Sequence, residues 1–129
     1  MIYTKYNFET RGIGIVSKDV ILKNTYIGNY FSKSEVITNE SRAIYDGWVE
    51  TNPLGRYLNH NRDFNCELKL NGDFIELHSL RDINKWEELT INYLTIIDLI
   101  NLPSEIAKKY QIKDYDYITE NIVVKTNIM

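Results

Sequence analysis

Two short runs that alternate apolar and polar residues flank Asn71-Gly72. Glu67-Leu68-Lys69-Leu70 precedes the pair and Phe74-Ile75-Glu76-Leu77 follows it. Alternation sorts side chains onto the two faces of a strand, and Asn-Gly accepts the positive φ of a two-residue primed turn, so the stretch predicts a β-hairpin. Further strands are predicted at Ile13-Gly14-Ile15-Val16, Val20-Ile21-Leu22, Tyr26-Ile27-Gly28-Asn29-Tyr30-Phe31 and Leu89-Thr90-Ile91-Asn92-Tyr93, all rich in β-branched or aromatic residues. Only residues 104–110 (SEIAKKY) read as helix, with Pro103 at the start, Glu105 in the first turn and Lys108 and Lys109 near the end. The tail alternates weakly through Tyr115, Tyr117, Val123 and Val124. The fold class is therefore mostly β with one or two short helices.

A length of 129 residues fits a single domain, 1–129, and 43% hydrophobic residues suffice for its core. Cys66 is the one cysteine, so no intrachain disulfide can form and a reducing, cytoplasmic or nuclear compartment is expected. No apolar run reaches the roughly 18 residues of a membrane span. The N-terminal MIYTKYNFETR lacks the basic start and apolar centre of a signal peptide. A net charge of −3 disfavours a nucleic-acid partner and leaves room for a basic one. Abundant Ile, Asn, Lys and Tyr, with alanine only at Ala43 and Ala107, fit an AT-rich viral, phage or low-GC bacterial genome.

Common catalytic patterns fail one after another. Gly12-Ile13-Gly14 would open a dinucleotide fingerprint only with glycine at position 17, where Ser17 stands. His60, His78 and Cys66 lack the paired spacing and fourth ligand of a zinc site, so no metal is expected. His78 reads as one member of an alternating strand, and Cys66 as the small apolar residue that opens one. A Cys66–His60 nucleophile pair has no support in the spacing, and no serine sits in a nucleophile elbow. What remains unexplained is the polar run Asn59-His60-Asn61-Arg62-Asp63 directly after Leu58.

Three segments resemble the SET-domain protein lysine methyltransferases. Arg11-Gly12-Ile13-Gly14-Ile15-Val16-Ser17-Lys18-Asp19-Val20 is similar to the family's G-x-G opening strand. Arg56-Tyr57-Leu58-Asn59-His60-Asn61-Arg62-Asp63-Phe64-Asn65-Cys66 is similar to R-[FY]-[IL]-N-H-S-x-x-P-N-C. Leu80-Arg81-Asp82-Ile83 followed by Glu87-Glu88-Leu89-Thr90-Ile91-Asn92-Tyr93 is similar to R-D-I-x-x-G-E-E-L-T-x-[DN]-Y. The G-x-G alone is weak; the second and third segments, in this order and about 20 residues apart, are specific. The resemblance covers residues 11–93. Three positions depart from it: Asn61 replaces serine, Phe64 replaces proline and Trp86 replaces glycine. The Cys-rich zinc segments of many members are absent, as in minimal viral or bacterial SET domains.

The resemblance implies a fold of several small sheets with a knot-like crossing of the C-terminal part. It implies S-adenosylmethionine as methyl donor, held by Gly12, Ile13, Gly14, Arg56, Tyr57, Asn59, His60 and Tyr93, with S-adenosylhomocysteine as product. Gly14 would let the backbone approach the ligand, and the His60 ring would either face it or tie two crossing segments together. Tyr93 would be the catalytic residue. A phenol with pKa about 10 is a poor base at neutral pH, so its work would be positioning and electrostatics. Tyr30 and Tyr45 would wall a lysine channel, or else be ordinary half-buried tyrosines. Ile91 brings no hydroxyl to restrain the amine, which implies transfer of two or three methyls. Residues 94–129 would close the channel with Tyr110, Tyr115 or Tyr117, cover a sheet edge, or form a homodimer contact. The implied partner is a lysine-bearing protein such as a histone-like one. The alternatives are a SET-like module that holds a basic peptide without turnover, and methylation of a non-protein amine.

Overall fold

Antiparallel pairing of β7 (Cys66–Asn71) with β8 (Phe74–Ser79) makes the predicted hairpin. The turn lies one residue later than Asn71-Gly72. Asn71 pairs with Phe74, so Gly72 and Asp73 form the two-residue loop. Gly72 has φ 59° and Asp73 does not take positive φ, the pattern of a type II′ turn. The computed structural model describes residues 1–9, 12–33, 42–50, 52–103 and 105–106.

The hairpin is one edge of a five-stranded antiparallel sheet in the order β4-β5-β3-β8-β7. Its other strands are β3 (Tyr26–Lys33), β4 (Arg42–Tyr45) and β5 (Trp48–Glu50). The sheet buries Ile27, Tyr30, Phe31, Trp48, Leu68, Ile75 and Leu77. A separate two-stranded sheet pairs β1 (Tyr3–Phe8) with β2 (Gly12–Ser17). A third pairs β6 (Asn59–His60) in parallel with β9 (Thr90–Ile91). Among the described residues, several small sheets with the short helices α1 (Pro53–Tyr57) and α2 (Leu94–Ile100) bear out the mostly β class.

Helices α1 and α2 lie where no helix was expected. Helix α1 (Pro53–Tyr57) is capped by Asn52, whose Oδ1 accepts from Leu54 N at 2.9 Å, with proline in its first turn. Helix α2 (Leu94–Ile100) starts straight after Tyr93 and ends at Asn101, which takes φ 51°. Of the helix expected at 104–110, Glu105 and Ile106 are helical, and Ile106 N donates to Pro103 O at 3.0 Å. Most of that segment and the alternating tail lie outside the described residues.

Two predicted strands are shorter than their composition suggests. Val20-Ile21-Leu22 contributes a single bridge, Ile21 to Ile83, and Val20 and Leu22 are exposed. Of Leu89 to Tyr93, only Thr90 and Ile91 form a strand. Tyr93 has helical angles (φ −61°, ψ −22°) and caps α2, so it is not a strand residue.

Candidate functional site

Segment 81–93 is threaded through the fold by its own polar residues. Arg81 and Glu87 form a two-pronged pair, Nη2 to Oε2 at 2.5 Å and Nη1 to Oε1 at 3.3 Å. That bond from Arg81 holds the Glu87 carboxyl below the usual carboxylate range and in turn raises the guanidinium. Asp82 Oδ1 accepts from Lys23 N at 2.8 Å, and Ile83 exchanges two backbone bonds with Ile21. Each residue of Arg81-Asp82-Ile83 thus has a structural role. Trp86 then turns the chain with φ 67°, a conformation that costs a non-glycine residue about 1–2 kcal/mol. This is the position where the resemblance expects glycine. The turn is clamped to β2, with Trp86 N donating to Ser17 O and Ser17 N to Glu87 O.

Beyond the turn, the chain passes between β2 and β6. Leu89 N donates to Ile15 O at 2.8 Å on one side. On the other side stands Asn65, 2% exposed. Its Nδ2 donates to Glu88 O at 2.8 Å and its Oδ1 accepts from Thr90 N at 2.9 Å. A buried backbone group without a partner is expensive, so one side chain that satisfies two of them fixes the register of the crossing.

Tyr93 is held at three points. Its N–H donates to His60 Nδ1 at 3.1 Å, its hydroxyl donates to Leu58 O at 2.6 Å, and its ring centroid is 5.4 Å from that of His60. The accepting Nδ1 is unprotonated in this arrangement, so His60 ties the two crossing segments together, one of the two roles expected of it. Leu58 is anchored in the core, and the Tyr93 side chain is 4% exposed. Ile91 is buried at the same crossing, paired with His60, and its carbonyl accepts from Asn61 N at 3.2 Å.

Gly14 marks the second part of the site. A β-carbon there would stand 2.6 Å from Glu88 Oε2, 2.7 Å from Asn59 Nδ2 and 2.8 Å from Phe8 Cε2, nearer than such atoms approach. The close approach that glycine permits is therefore made by a carboxylate, an amide and an aromatic ring of the chain itself. Asn59 Nδ2 donates to Glu88 Oε2 at 2.8 Å and lies 3.5 Å from Ile13 O. Both neighbours are acceptors, which turns the amide nitrogen toward them and its oxygen the other way.

The remaining expected residues are spread more widely. Gly12 opens β2 with φ 80°, and Ile13 is half-buried beside it. Arg56 is exposed on α1 with its guanidinium 5.6 Å from the Tyr57 ring, over which Lys5 Nζ also lies, at 5.2 Å. Tyr30 is not half-buried but part of the core, its ring 4.5 Å from Phe31. Tyr45 is exposed at the end of β4, on the sheet edge opposite β7. Tyr110, Tyr115 and Tyr117 lie outside the described residues. Cys66 is fully buried and its thiol is pushed up to about 12, mainly by burial, so it is no thiolate nucleophile. His78 sits on β8 with Nε2 3.0 Å from Glu76 Oε1. Asn61, the departure from serine, accepts from Asp63 N at 2.9 Å and so closes a turn of the kind a serine hydroxyl closes more weakly.

Sequence reasoning assigned no role to Asn65, Glu88 or Phe8. Asn65 and Glu88 stood inside quoted motifs, and their buried partners supply the missing reason. Phe8 carried no signal.

Residues 39–94 match the family model described as SET domain. Over these residues the chain is similar to SET domains. The match takes in the second and third segments and leaves the G-x-G of β2 outside it. The SET domain and MYND-type zinc finger protein 6 of Schizosaccharomyces pombe is 41% identical over 58 residues, 45% of this chain and 11% of that protein. The chain thus spans a small part of that relative's length. Among solved structures, the methyltransferase domain of human PR domain-containing protein 2 aligns over 69% of this chain and 74% of that one, at 20% identity and a TM-score of 0.49.

Proposed function

We propose that the chain transfers methyl groups from S-adenosylmethionine to the side-chain amine of lysine in a protein substrate. The observation that carries this reading is the fixed Tyr93 hydroxyl. Its proton is committed to the Leu58 carbonyl at 2.6 Å, so toward any other group the oxygen can act only as an acceptor. Beside it, the carbonyl of Leu58 presents a second negative dipole. Two such oxygens, rigidly held and buried, favour the positive charge of a methyl in transit and of the lysine that receives it.

The residues present fit the donor. Gly14 brings the β2 backbone against the Glu88 carboxylate and the Asn59 amide, polar groups of the kind a donor's amino-acid tail requires. The Tyr57 ring, flanked by Lys5 and Arg56, offers a flat aromatic surface with positive charge nearby. Gly12, Ile13, Gly14, Arg56, Tyr57, Asn59 and His60 would hold the donor. When bound, it supplies a methyl on a positively charged sulfur, which a neutral lysine amine can take by in-line displacement without a metal. Burial around Tyr93 keeps water away and lowers the pKa of an entering lysine, which promotes its neutral form. His60 fixes the Tyr93 backbone and thereby the aim of the phenol. Ile91, apolar and 1% exposed, gives no hydroxyl to restrain a partly methylated amine, so two or three methyls are transferred.

The test is incubation with labelled donor and a panel of basic proteins, followed by mass spectrometry. Wild type should label lysine and progress beyond the monomethyl product, and Tyr93→Phe should be slower by about a hundred-fold or more. A product that stays monomethylated at long times would overturn the assignment of Ile91. Binding of basic peptides with no calorimetric binding of the donor would make the chain a peptide-holding module instead.

A further inference from the structure

What fixes the first turn of α2 fixes the aim of the Tyr93 phenol. Tyr93 has helical angles (φ −61°, ψ −22°), and its own side chain makes no cap bond to the helix. The residue before it supplies the cap. Asn92 Oδ1 accepts from Leu94 N at 3.0 Å, and Asn92 O accepts from Thr95 N at 3.0 Å. A capping asparagine makes this pair of bonds: its carbonyl opens the helix and its side chain takes a free N–H of the first turn. Tyr93 N itself donates to His60 Nδ1 at 3.1 Å, and Ile96 N donates to Tyr93 O at 3.1 Å.

These bonds grip the two peptide planes that meet at the Tyr93 α-carbon. The plane before it carries Asn92 O and Tyr93 N–H, bonded to Thr95 and His60. The plane after it carries Tyr93 O and Leu94 N–H, bonded to Ile96 and to the Asn92 side chain. Peptide planes are rigid, so fixing both fixes φ and ψ of Tyr93. The direction in which its side chain leaves the backbone is then set as well. Asn92 bonds into both planes, one through its carbonyl and the other through its amide oxygen. Further along, Ile96 and Ile100 are buried in the core and hold the body of the helix independently of the cap.

We infer that Asn92 is a positioning residue for the Tyr93 phenol. The inference rests on the proposed catalytic use of Tyr93 and adds a residue that acts through it. Loss of the Asn92 side-chain oxygen frees Leu94 N–H and loosens ψ of Tyr93, while the packed body of α2 stays in place. The phenol then spends part of its time away from Leu58 O, the acceptor of its hydroxyl. Catalysis by alignment is steeply sensitive to such displacement.

The experiment pairs amide hydrogen exchange with methyl-transfer kinetics on the intact chain. Asn92→Ala removes the acceptor, and Asn92→Ser restores one that caps well. In Asn92→Ala, exchange at both Leu94 and Tyr93 should rise by about five-fold or more relative to the amides of the β7–β8 hairpin, the scale of one neutral hydrogen bond. At saturating donor and protein substrate, kcat should fall by about ten-fold or more while KM stays within about two-fold. Asn92→Ser should remain within about two-fold of wild type in both assays. Faster exchange at Leu94 alone would overturn the inference, because the turn would not then hold the Tyr93 backbone. An equal rise throughout the hairpin would overturn it too and reduce Asn92 to a cap that only stabilises the fold. Unchanged kcat in a variant with faster exchange at Tyr93 would end the positioning role. Wild-type protein that transfers no methyl group would remove the catalytic reading of Tyr93, and faster exchange at Tyr93 in Asn92→Ala would still identify Asn92 as the residue that fixes it.

Discussion

In the five-stranded sheet, β7 and β8 share six consecutive residue pairs; in the crossing, β6 and β9 share two. The first region is held by repetition. Its ladder bonds are many and alike, and most of its buried side chains are aliphatic or aromatic. The second is held by particular polar side chains. Asn65 satisfies the backbone at Glu88 and Thr90, His60 receives Tyr93 N–H, and Leu58 O receives the Tyr93 hydroxyl. Apolar packing tolerates substitution when volume is kept, whereas a lone donor or acceptor has no substitute when its partner is removed. The site is placed by the part of the fold with the fewest redundant bonds.

Asn65→Leu should have the largest effect on stability. The volume is similar, but the N–H of Thr90 and the carbonyl of Glu88 lose their partner in a buried setting, at a cost of about 3 kcal/mol or more. Leu70→Thr, at the exposed end of the hairpin, should stay within about 0.5 kcal/mol. Urea denaturation measures both, and equal losses would erase the contrast between the two regions. Next in size is Trp86→Gly. Trp86 is 59% exposed with φ 67°, so glycine relieves backbone strain and removes little packing. A gain of about 1 kcal/mol is expected, reduced by the greater freedom of glycine in the unfolded chain. A loss on the same urea assay would mean that the indole contributes more than its exposure suggests.

The smallest effect is in pH. The folded Glu87 carboxyl lies below its ordinary range because Arg81 bonds to it. Its stabilising contribution is therefore present above the unfolded value, about 4.3, and is lost as pH falls through the lower folded value. Arg81 is shifted upward and stays charged throughout the neutral range, so it adds no dependence there. Urea midpoints between pH 7 and pH 3 should fall more steeply at the acid end for wild type than for Glu87→Gln, by a small amount because the pair is half-exposed. Parallel profiles would show that the clamp at the 81–87 turn does not respond to this charge.

The same contrast explains what the sequence could reveal. The hairpin was legible because its information is local, in alternation around a glycine. Only its turn slipped by one residue, since Asn71 can pair with Phe74 and leave Asp73 in the loop. Helix α1 was signalled by Asn52-Pro53, a cap followed by a first-turn proline, in a segment too short to show periodicity. Helix α2 was masked by its β-branched residues, and packing of Ile96 and Ile100 into the core overrides that propensity. Val20-Ile21-Leu22 misled in the opposite sense, with strand composition but only one side chain turned inward. In the site, Asn59, His60 and Tyr93 were found through motifs and do meet at the crossing. Asn65 and Glu88 were not given roles because their partners are 22 or more residues away in the chain. Neither composition nor periodicity reports a bond of that span.

The parallel pairing of β6 with β9 also sets an order in time. Residues 61–89 lie between the two strands, and they include the whole β7–β8 hairpin. Local contacts close at low entropic cost, whereas the crossing must wait until the intervening chain has been shortened by its own folding. The hairpin therefore belongs to the early nucleus and the crossing to the last step. Substitutions at Ile75 should slow folding, with Φ values well above those at Asn65, where the loss should appear almost wholly as faster unfolding. A protein of this design completes the crossing at Tyr93 only after its hairpin has folded.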